Sequence, residues 1–502
     1  MSKIDWTAKA QSINPETRAF INGEYVEAEG KKTFEHKSPI DGRFLPSISD
    51  CSARDIDNAV AIAKSTFEAG LWHEKPISER KEILFKFAKL IEEKSEELAL
   101  LDCLSMGKAI DALYNNDVPL AVGCYRWFAE AMDKLYDECV PPRANVVGTI
   151  TREPLGVVGC ISPWNYPVEN VAWKLGPALA AGNSVVLKPA EQCSYSAILL
   201  GALSLEAGIP KGVLNIVPGR GEITGAALAL HNDVDGVFFT GSTSVGKKIL
   251  EYSGQSNMKR VCLETGGKSP FVVLADYSDL PHAAKTLAHC IFYNQGQTCS
   301  APSRLVIEES IHDEFLALLE KEAPIHTPQN PLLNETKVGA LVSLEQLATV
   351  ERYVKSGIDE GAHLHLGGER LHPVKDGAYY APTIFTEVKS SMTIAQEEIF
   401  GPVLSVLKAK DVDDAITLAN DSVYGLSAGI WTNNINLAHH VARKLRAGTV
   451  HINNFGGGDM SSPFGGYKQS GNGGKDKSLH ALDDYSECKT TWLTFTPPKN
   501  AG

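Results

Sequence analysis

Residues 289–304, HCIFYNQGQTCSAPSR, set a cysteine in company that suits chemistry better than packing. Cys299 is flanked by Gly296, Gln297, Thr298, Ser300 and Ala301, which build no apolar socket around it. A structural cysteine behaves as a small hydrophobe among Ile, Val and Leu, so these neighbours favour a thiol that a reactant can reach. A nucleophilic thiol needs a group to take its proton. Glu264, in Cys262-Leu-Glu264-Thr-Gly-Gly267-Lys-Ser-Pro, is a candidate because it stands on a glycine-softened turn. From the local residues alone, an inert cysteine in a loop is an equally good reading.

Further sets of residues suit ligand binding, each with a plainer alternative. Pro163-Trp164-Asn165-Tyr166-Pro167 holds Asn165 between prolines and aromatics, where its side-chain N–H groups suit a developing oxyanion; the alternative is an ordinary turn asparagine. Lys188-Pro-Ala-Glu191 follows a Val-rich run. A glutamate there accepts hydrogen bonds from ribose hydroxyls and the lysine meets a hydroxyl or a phosphate, unless the two form only a solvated i,i+3 pair. Residues 238–248, FFTGSTSVGKK, read as strand, glycine turn and helix start, which aims backbone N–H groups at an anion. Written G-x-x-x-x-G-K-K, that stretch nearly matches the P-loop of NTPases, with FVVLAD ending at Asp276 as a would-be acidic strand. The match fails at Lys248, where a Ser or Thr must ligate the metal, and it leaves Cys299 unexplained. Gly219-Arg-Gly221-x-x-x-Gly225 approximates a dinucleotide fingerprint, but its third glycine comes one residue late. The fourteen histidines lack metal-ligand spacing, and the adjacent His439 and His440 point to different faces of a helix, so no metal is expected.

These residues need a frame. Residues 20–50 read as short strands and turns with a hairpin at FINGEYVEA, and residues 55–134 carry apolar residues at helical spacing, punctuated by Gly107 and Pro119. A β-rich insert at 136–153 follows, with NVVGTITRE as an exposed strand whose edge needs a cover, which suggests a partner subunit. Val- and Ile-rich strands then alternate with helices of roughly ten residues up to RVCLET, the pattern of a parallel, doubly wound α/β sheet. Such sheets bind nucleotides beyond the carboxyl ends of their strands. From Gly267 to Gly466 a second α/β unit is expected, and the tail SECKTTWLTFTPP is a β stretch suited to pairing with the insert.

At 502 residues the chain has room for two or three domains. The net charge of −13 argues against non-specific binding to nucleic acid or to an anionic membrane. No apolar run approaches the ~18 residues of a membrane span, and no signal-peptide core is present. Ten scattered cysteines without a C-x-x-C pair read as reduced thiols, and the expected compartment is the cytoplasm.

Taken together, PWNYPVENVAWKLGPALAAGNSVVLKPAE, FFTGSTSVG, LETGGKSP, FYNQGQTC, EEIFGPVL and PFGGYKQSG resemble, in order and spacing, the aldehyde dehydrogenase superfamily over nearly the whole chain. The resemblance implies the fold of that family: a Rossmann-like cofactor domain (1–135 and 154–266), a catalytic α/β domain (267–470) and a small β oligomerisation segment (136–153 and 482–496). It implies Cys299 as nucleophile, Glu264 as general base, Asn165 with the Cys299 N–H as oxyanion hole, and Lys174 as a proton-relay residue. The dinucleotide is then expected at Trp164, Lys188, Glu191, Ser242, Glu398 and Phe400, with Gly241 and Gly246 meeting the family's glycine-turn motif. Glu191 favours NAD, since a 2′-phosphate beside a carboxylate is repelled, although rotation of Glu191 would admit NADP.

The tail from PFGGYKQSG to KTTW, with NNFGGGDM before it, looks most like the γ-glutamyl-γ-aminobutyraldehyde dehydrogenases of putrescine breakdown, with aminoaldehyde, betaine-aldehyde and broad-specificity enzymes as neighbours. Gly474-Lys475 departs from that group, which carries a single Arg there, so a reshaped loop is expected. Tyr166, Trp173, Tyr293, Phe455 and Phe464 fall at family positions in or near the aldehyde tunnel, and Glu169, Asp117 and Asp459 are expected to add negative charge to it. A homodimer or homotetramer is implied.

Overall fold

The computed structural model describes residues 4–456 and 458–496. Two seven-stranded sheets carry the molecule. In the first, the parallel strands run in the order Arg260–Glu264, Gly236–Thr240, Val157–Ile161, Ser184–Lys188, Leu214–Ile216. Chain order therefore reverses between Val157–Ile161 and Gly236–Thr240, and a doubly wound sheet opens its ligand crevice at such a switch point. The hairpin Ala19–Ile21/Glu24–Val26 turns on Asn22 and Gly23, both at positive φ, and joins this sheet through Phe20 opposite Ile216. The inner strands Val157–Ile161 and Ser184–Lys188 are buried on both faces, as their apolar runs require.

Helices on both faces bury the first sheet. The helical stretch expected over 55–134 resolves into Ala53–Glu68, Ile77–Glu93, Ser95–Met106 and Val118–Ala131. Gly107 ends the third of these in the left-handed conformation, and Pro119 falls in the first turn of the fourth. One expected helix is shorter than its pattern: the 223–232 stretch yields only Ala226–Leu230, because the chain first makes a wide π-type turn at Gly221–Gly225.

The second sheet runs His363–Leu366, Thr383–Thr386, Val403–Ala409, Arg304–Glu308, Pro270–Val273, Ser427–Trp431, Thr449–Ile452. Asp276, beyond Pro270–Val273, accepts hydrogen bonds from Thr432 and Asn434 of its own unit, so it does not serve the glycine turn at 241–246 as a P-loop would need.

The expected pairing of insert and tail is present: Ser486–Thr494 runs antiparallel to Val146–Pro154 along nine residue pairs. The bare edge, however, is not the one anticipated. Val146–Pro154 lies in the middle of a three-stranded sheet, between Ser486–Thr494 and Glu138–Cys139, and it is the tail strand that stands open. Among the described residues no helix is long and apolar enough to cross a membrane.

Candidate active site

A cleft of about 940 Å³ lies between the two sheets, and Cys299, Glu264 and Asn165 all line it. Cys299 sits in a loop that starts at Tyr293–Gly296. Asn294, Gln295 and Gly296 take positive φ in succession (50°, 58° and 69°), a costly conformation for the two residues that carry a Cβ. Buried amides hold it: Gln297 accepts from the Val342 N–H through its side-chain oxygen (2.9 Å) and donates to the Asn294 carbonyl (3.0 Å), while Gln295 donates to the Gly339 carbonyl (3.0 Å). The Asn165 side chain donates to the Gln297 carbonyl (3.0 Å), and Asn294 donates to the Asn165 carbonyl (3.1 Å). Asn165 is thereby fixed beside the cysteine loop with its second amide proton uncommitted.

Glu264 ends the strand Arg260–Glu264. The segment 469–472 clamps that strand end: the Thr265 N–H donates to the Ser470 carbonyl (2.9 Å), the Thr265 hydroxyl to the Gln469 carbonyl (2.6 Å) and the Leu263 N–H to the Asn472 side chain (2.8 Å). Both Glu264 carboxylate oxygens are buried without a hydrogen-bond partner. Burial first, and then Asp476, push this carboxyl well above the ordinary carboxylate range, with Lys174 and Lys475 opposing. Burial also pushes the Cys299 thiol up to about 12, with Glu398 and Glu264 acting in the same direction.

Lys174 is buried and does not line the cleft; its ammonium meets Asp476 Oδ1 at 2.5 Å, and Asp476 does line it. The second Asp476 oxygen is buried without a partner. Asp476 is thus the group through which Lys174 touches the site, and the residue pattern had not singled it out. The Gly474-Lys475 departure is accommodated locally: the Lys475 N–H donates to Asp484 (2.6 Å), and a Cβ at Gly474 would stand 2.8 Å from Cys262 Cβ.

At the nucleotide end, Thr240, Gly241, Ser242, Pro163 and Trp164 line the cleft at the switch point. Ser242 caps the helix Thr243–Gln255, accepting from the Val245 N–H. Gly246 does not line the cleft. Its place is a packing contact, where a Cβ would come within 3.0 Å of Thr265 Cγ2. Lys188 is buried rather than solvated and donates to Glu191 Oε2 at 2.8 Å. Burial is the largest influence and raises the Glu191 carboxyl, but Lys188 together with the backbone N–H groups of Glu191 and Gly221 makes the net shift downward. Glu191 lines a separate shallow groove with Arg220. Phe400 meets Trp164 edge to face (5.1 Å between centroids), and Glu398 accepts from the Gly267 N–H (3.0 Å) while burial pushes its carboxyl to about 7. A cleft end bounded by strand ends and a capped helix start fits a dinucleotide, while the Lys188–Glu191 pair stands outside its lining.

On the other side of Cys299 a tunnel opens between Tyr166, Trp173, Tyr293, Phe455 and Phe464, with Trp173 edge to face on Phe464 (5.3 Å). Tyr166 shares a hydrogen bond with the Thr298 hydroxyl (2.7 Å). Glu169 lines this tunnel; burial and Asp117 push its carboxyl up to about 8, against Lys108 and Lys477. Asp459 stands exposed at the mouth, accepting from Ser461 (2.8 Å to the N–H). Asp117 must be corrected. It does not line the tunnel but is fully buried behind it, paired with Lys108 at 2.6 Å, because an isolated carboxylate at that depth needs a counter-charge. Lys477, which the sequence had not flagged, does line the tunnel, its ammonium 5.0 Å from the Trp173 ring and 5.4 Å from the Phe464 ring.

The model of the aldehyde dehydrogenase family matches residues 25–491. The chain belongs to that family. The dehydrogenase is 48% identical over 490 residues to the NADP/NAD-dependent aldehyde dehydrogenase PuuC of Escherichia coli K12, covering 98% of each chain. A solved γ-glutamyl-γ-aminobutyraldehyde dehydrogenase from Burkholderia cenocepacia is 50% identical with a TM-score of 0.95, covering 98% of this chain and 99% of that one. An indole-3-acetaldehyde dehydrogenase from P. syringae, solved with NAD+, is also 50% identical, with a TM-score of 0.97 and the same coverage. The dehydrogenase has the fold of the family and is an NAD(P)-dependent oxidoreductase acting on aldehydes.

Proposed function

We propose that this dehydrogenase oxidises an amino-substituted aldehyde of polyamine breakdown to its acid, with Cys299 as nucleophile and Glu264 as base. The convergence of Cys299, Glu264 and Asn165 on one cleft between the sheets carries the chemical part of this reading. The carboxylate of Glu169 in an aromatic tunnel carries the substrate part, supported by the named substrate of the Burkholderia relative.

The Cys299 thiol releases its proton to solvent in the cleft and the sulfur adds to the aldehyde carbon; the second amide proton of Asn165 meets the resulting oxyanion, a contact worth about 2.7–4 kcal/mol in comparable sites. Trp164, Glu398 and Phe400 would hold the nicotinamide end of the dinucleotide, which when bound would supply the hydride acceptor. Glu264, in its ionised form, then draws a proton from the water that hydrolyses the Cys299 thioester and gives it up toward the free Asp476 oxygen, while the Lys174 ammonium holds the other one in place. Trp164, Gly241, Ser242, Glu398 and Phe400 line the cofactor side of the cleft, and Lys188 with Glu191 would hold the adenosine ribose, favouring NAD over NADP. On this reading residues 1–135 and 154–266 form the cofactor domain and 267–470 the catalytic domain. Residues 136–153 and 482–496 then join subunits into a dimer or tetramer. Ten unpaired cysteines fit a reducing cytoplasm.

Cys299→Ala is expected to abolish oxidation, whereas Glu264→Gln should still give a first-turnover burst of NADH followed by slow turnover, read by stopped-flow absorbance. Loss of the burst in Glu264→Gln would move that carboxylate's main task from hydrolysing the thioester to activating the thiol.

A further inference from the structure

Glu264 has a cation beside it that none of the steps above uses. A Cβ at Gly465 would stand 2.7 Å from Glu264 Oε1 and 2.8 Å from Lys475 Nζ, so carboxylate and ammonium border the same small space and stand no farther apart than those two spans together. They do not close on one another, since neither Glu264 oxygen has a hydrogen-bond partner. The local chain path brings them this near. Gly474 packs against the strand Arg260–Glu264, where a Cβ would come 2.8 Å from Cys262 Cβ, and the next residue therefore reaches the end of the strand. Backbone bonds hold the segment there: the Lys475 N–H donates to Asp484 (2.6 Å) and the Asp476 N–H to the Phe464 carbonyl (3.0 Å).

The charges around the carboxylate show what this cation can do. The ionisable groups facing Glu264 are Asp476 and Lys475 of the tail segment, Lys174 of the helix Pro167–Ala181 and Cys299 of the nucleophile loop. Lys174 closes on Asp476 at 2.5 Å, so those two charges largely cancel at a distance. Lys475 is then the cation left to balance an ionised Glu264, at a place where burial opposes ionisation. A base must also keep a lone pair for the proton it takes. An ammonium bonded directly to the carboxylate would occupy that lone pair, whereas one standing just beyond it favours the ionised form and leaves both oxygens open.

Resting on Glu264 as the base, we propose that Lys475 is a positioning residue for thioester hydrolysis, its ammonium holding the Glu264 carboxylate ionised without occupying the oxygen that accepts the proton of water. Lys475 does not line the cleft, so it acts through Glu264 alone. Its effect is confined to the pH range in which Glu264 exchanges its proton. A nearby cation favours the ionised form, so removing it moves that exchange to higher pH. Hydrolysis is then lost on the acid side and regained in alkaline medium.

The test follows decay of the acyl-enzyme. Wild type, Lys475→Met, Lys475→Arg, Glu264→Gln and the double variant Glu264→Gln/Lys475→Met are mixed with hexanal and NAD+ and quenched in acid. The acyl-Cys299 peptide is then followed against time by mass, from about pH 6 to about pH 10. Hexanal carries no charge, which keeps Glu169 and Lys477 out of the comparison. Lys475→Met is expected to move the acid limb of the hydrolysis rate up by about one pH unit, a loss of about 10-fold below the limb, and to meet the wild type at alkaline pH. Its NADH burst keeps the wild-type amplitude. Lys475→Arg returns the limb to its wild-type position, and the double variant hydrolyses no more slowly than Glu264→Gln, because the lysine has no carboxylate left to act on. A Lys475→Met profile that superimposes on the wild type, a limb that Lys475→Arg leaves displaced, or a loss that adds to that of Glu264→Gln overturns the proposal while the base reading stands. Hydrolysis at the wild-type rate in Glu264→Gln overturns both.

Discussion

The side chains at the reacting centre are held in forms that do not react unaided. Burial pushes the Cys299 thiol up to about 12 and the Glu264 carboxyl well above the ordinary carboxylate range, so each holds its proton more tightly than an exposed group would. Raising the pH removes protons from both, and reactivity must rise with it. Alkylation of Cys299 by iodoacetamide in the free enzyme is expected to accelerate steadily up to pH 10, followed by rate measurement and peptide mapping. A plateau near pH ~8.5, the value of an ordinary thiol, would show that burial does not govern this sulfur. Cys299, Glu264 and Asn165 were legible because each sits in a long motif. Asp476 and Lys477 were not, since a run of Gly, Lys and Asp reads as a solvated tail until the fold carries it to the cleft. Asp117 misled for the opposite reason: its charge was visible in the sequence, but its partner Lys108, nine positions away, was not.

Between elements, the decisive contact is backbone against backbone. A Cβ at Gly267 would stand 2.4 Å from the Cys299 carbonyl oxygen, and one at Gly266 would overlap the Glu398 carboxylate. Gly267→Ala must therefore displace the nucleophile loop. Its kcat/KM is expected to fall roughly 100-fold with the fold intact by circular dichroism, since misplacing a reacting group by about 1 Å costs that much. Activity within a few-fold of wild type would mean that the two turns are free to separate. The alternation of strands and helices was readable from period and composition; the switch point was not, because it depends on the strand order that only the fold sets. The wide turn at Gly221–Gly225 was not, because Gly and Thr in that stretch are equally compatible with a continuing helix.

Across the whole molecule, the tail strand and the residue after it leave Trp492, Leu493 and Phe495 about half exposed, at 52%, 61% and 48%. An open strand edge with apolar side chains invites pairing or burial against another chain. If the proposed subunit contact is made through this edge, Leu493→Asp lowers the solution mass by sedimentation below that of the wild type, toward that of a monomer. An unchanged mass would assign assembly to another surface. The pairing of insert and tail was foreseeable from two β-rich segments without other partners. Which of them lies at the edge was not, since both read alike and only the short strand Glu138–Cys139, which covers one side, decides it.

The proposed catalysis depends on a covalent bond between substrate and one sulfur. Glu264→Gln enzyme mixed with NAD+ and γ-glutamyl-γ-aminobutyraldehyde, quenched in acid after the first turnover and digested, should yield a peptide bearing Cys299 with the mass of the acyl group added. An acyl mass on any other residue, or turnover with no adduct at all, would contradict it.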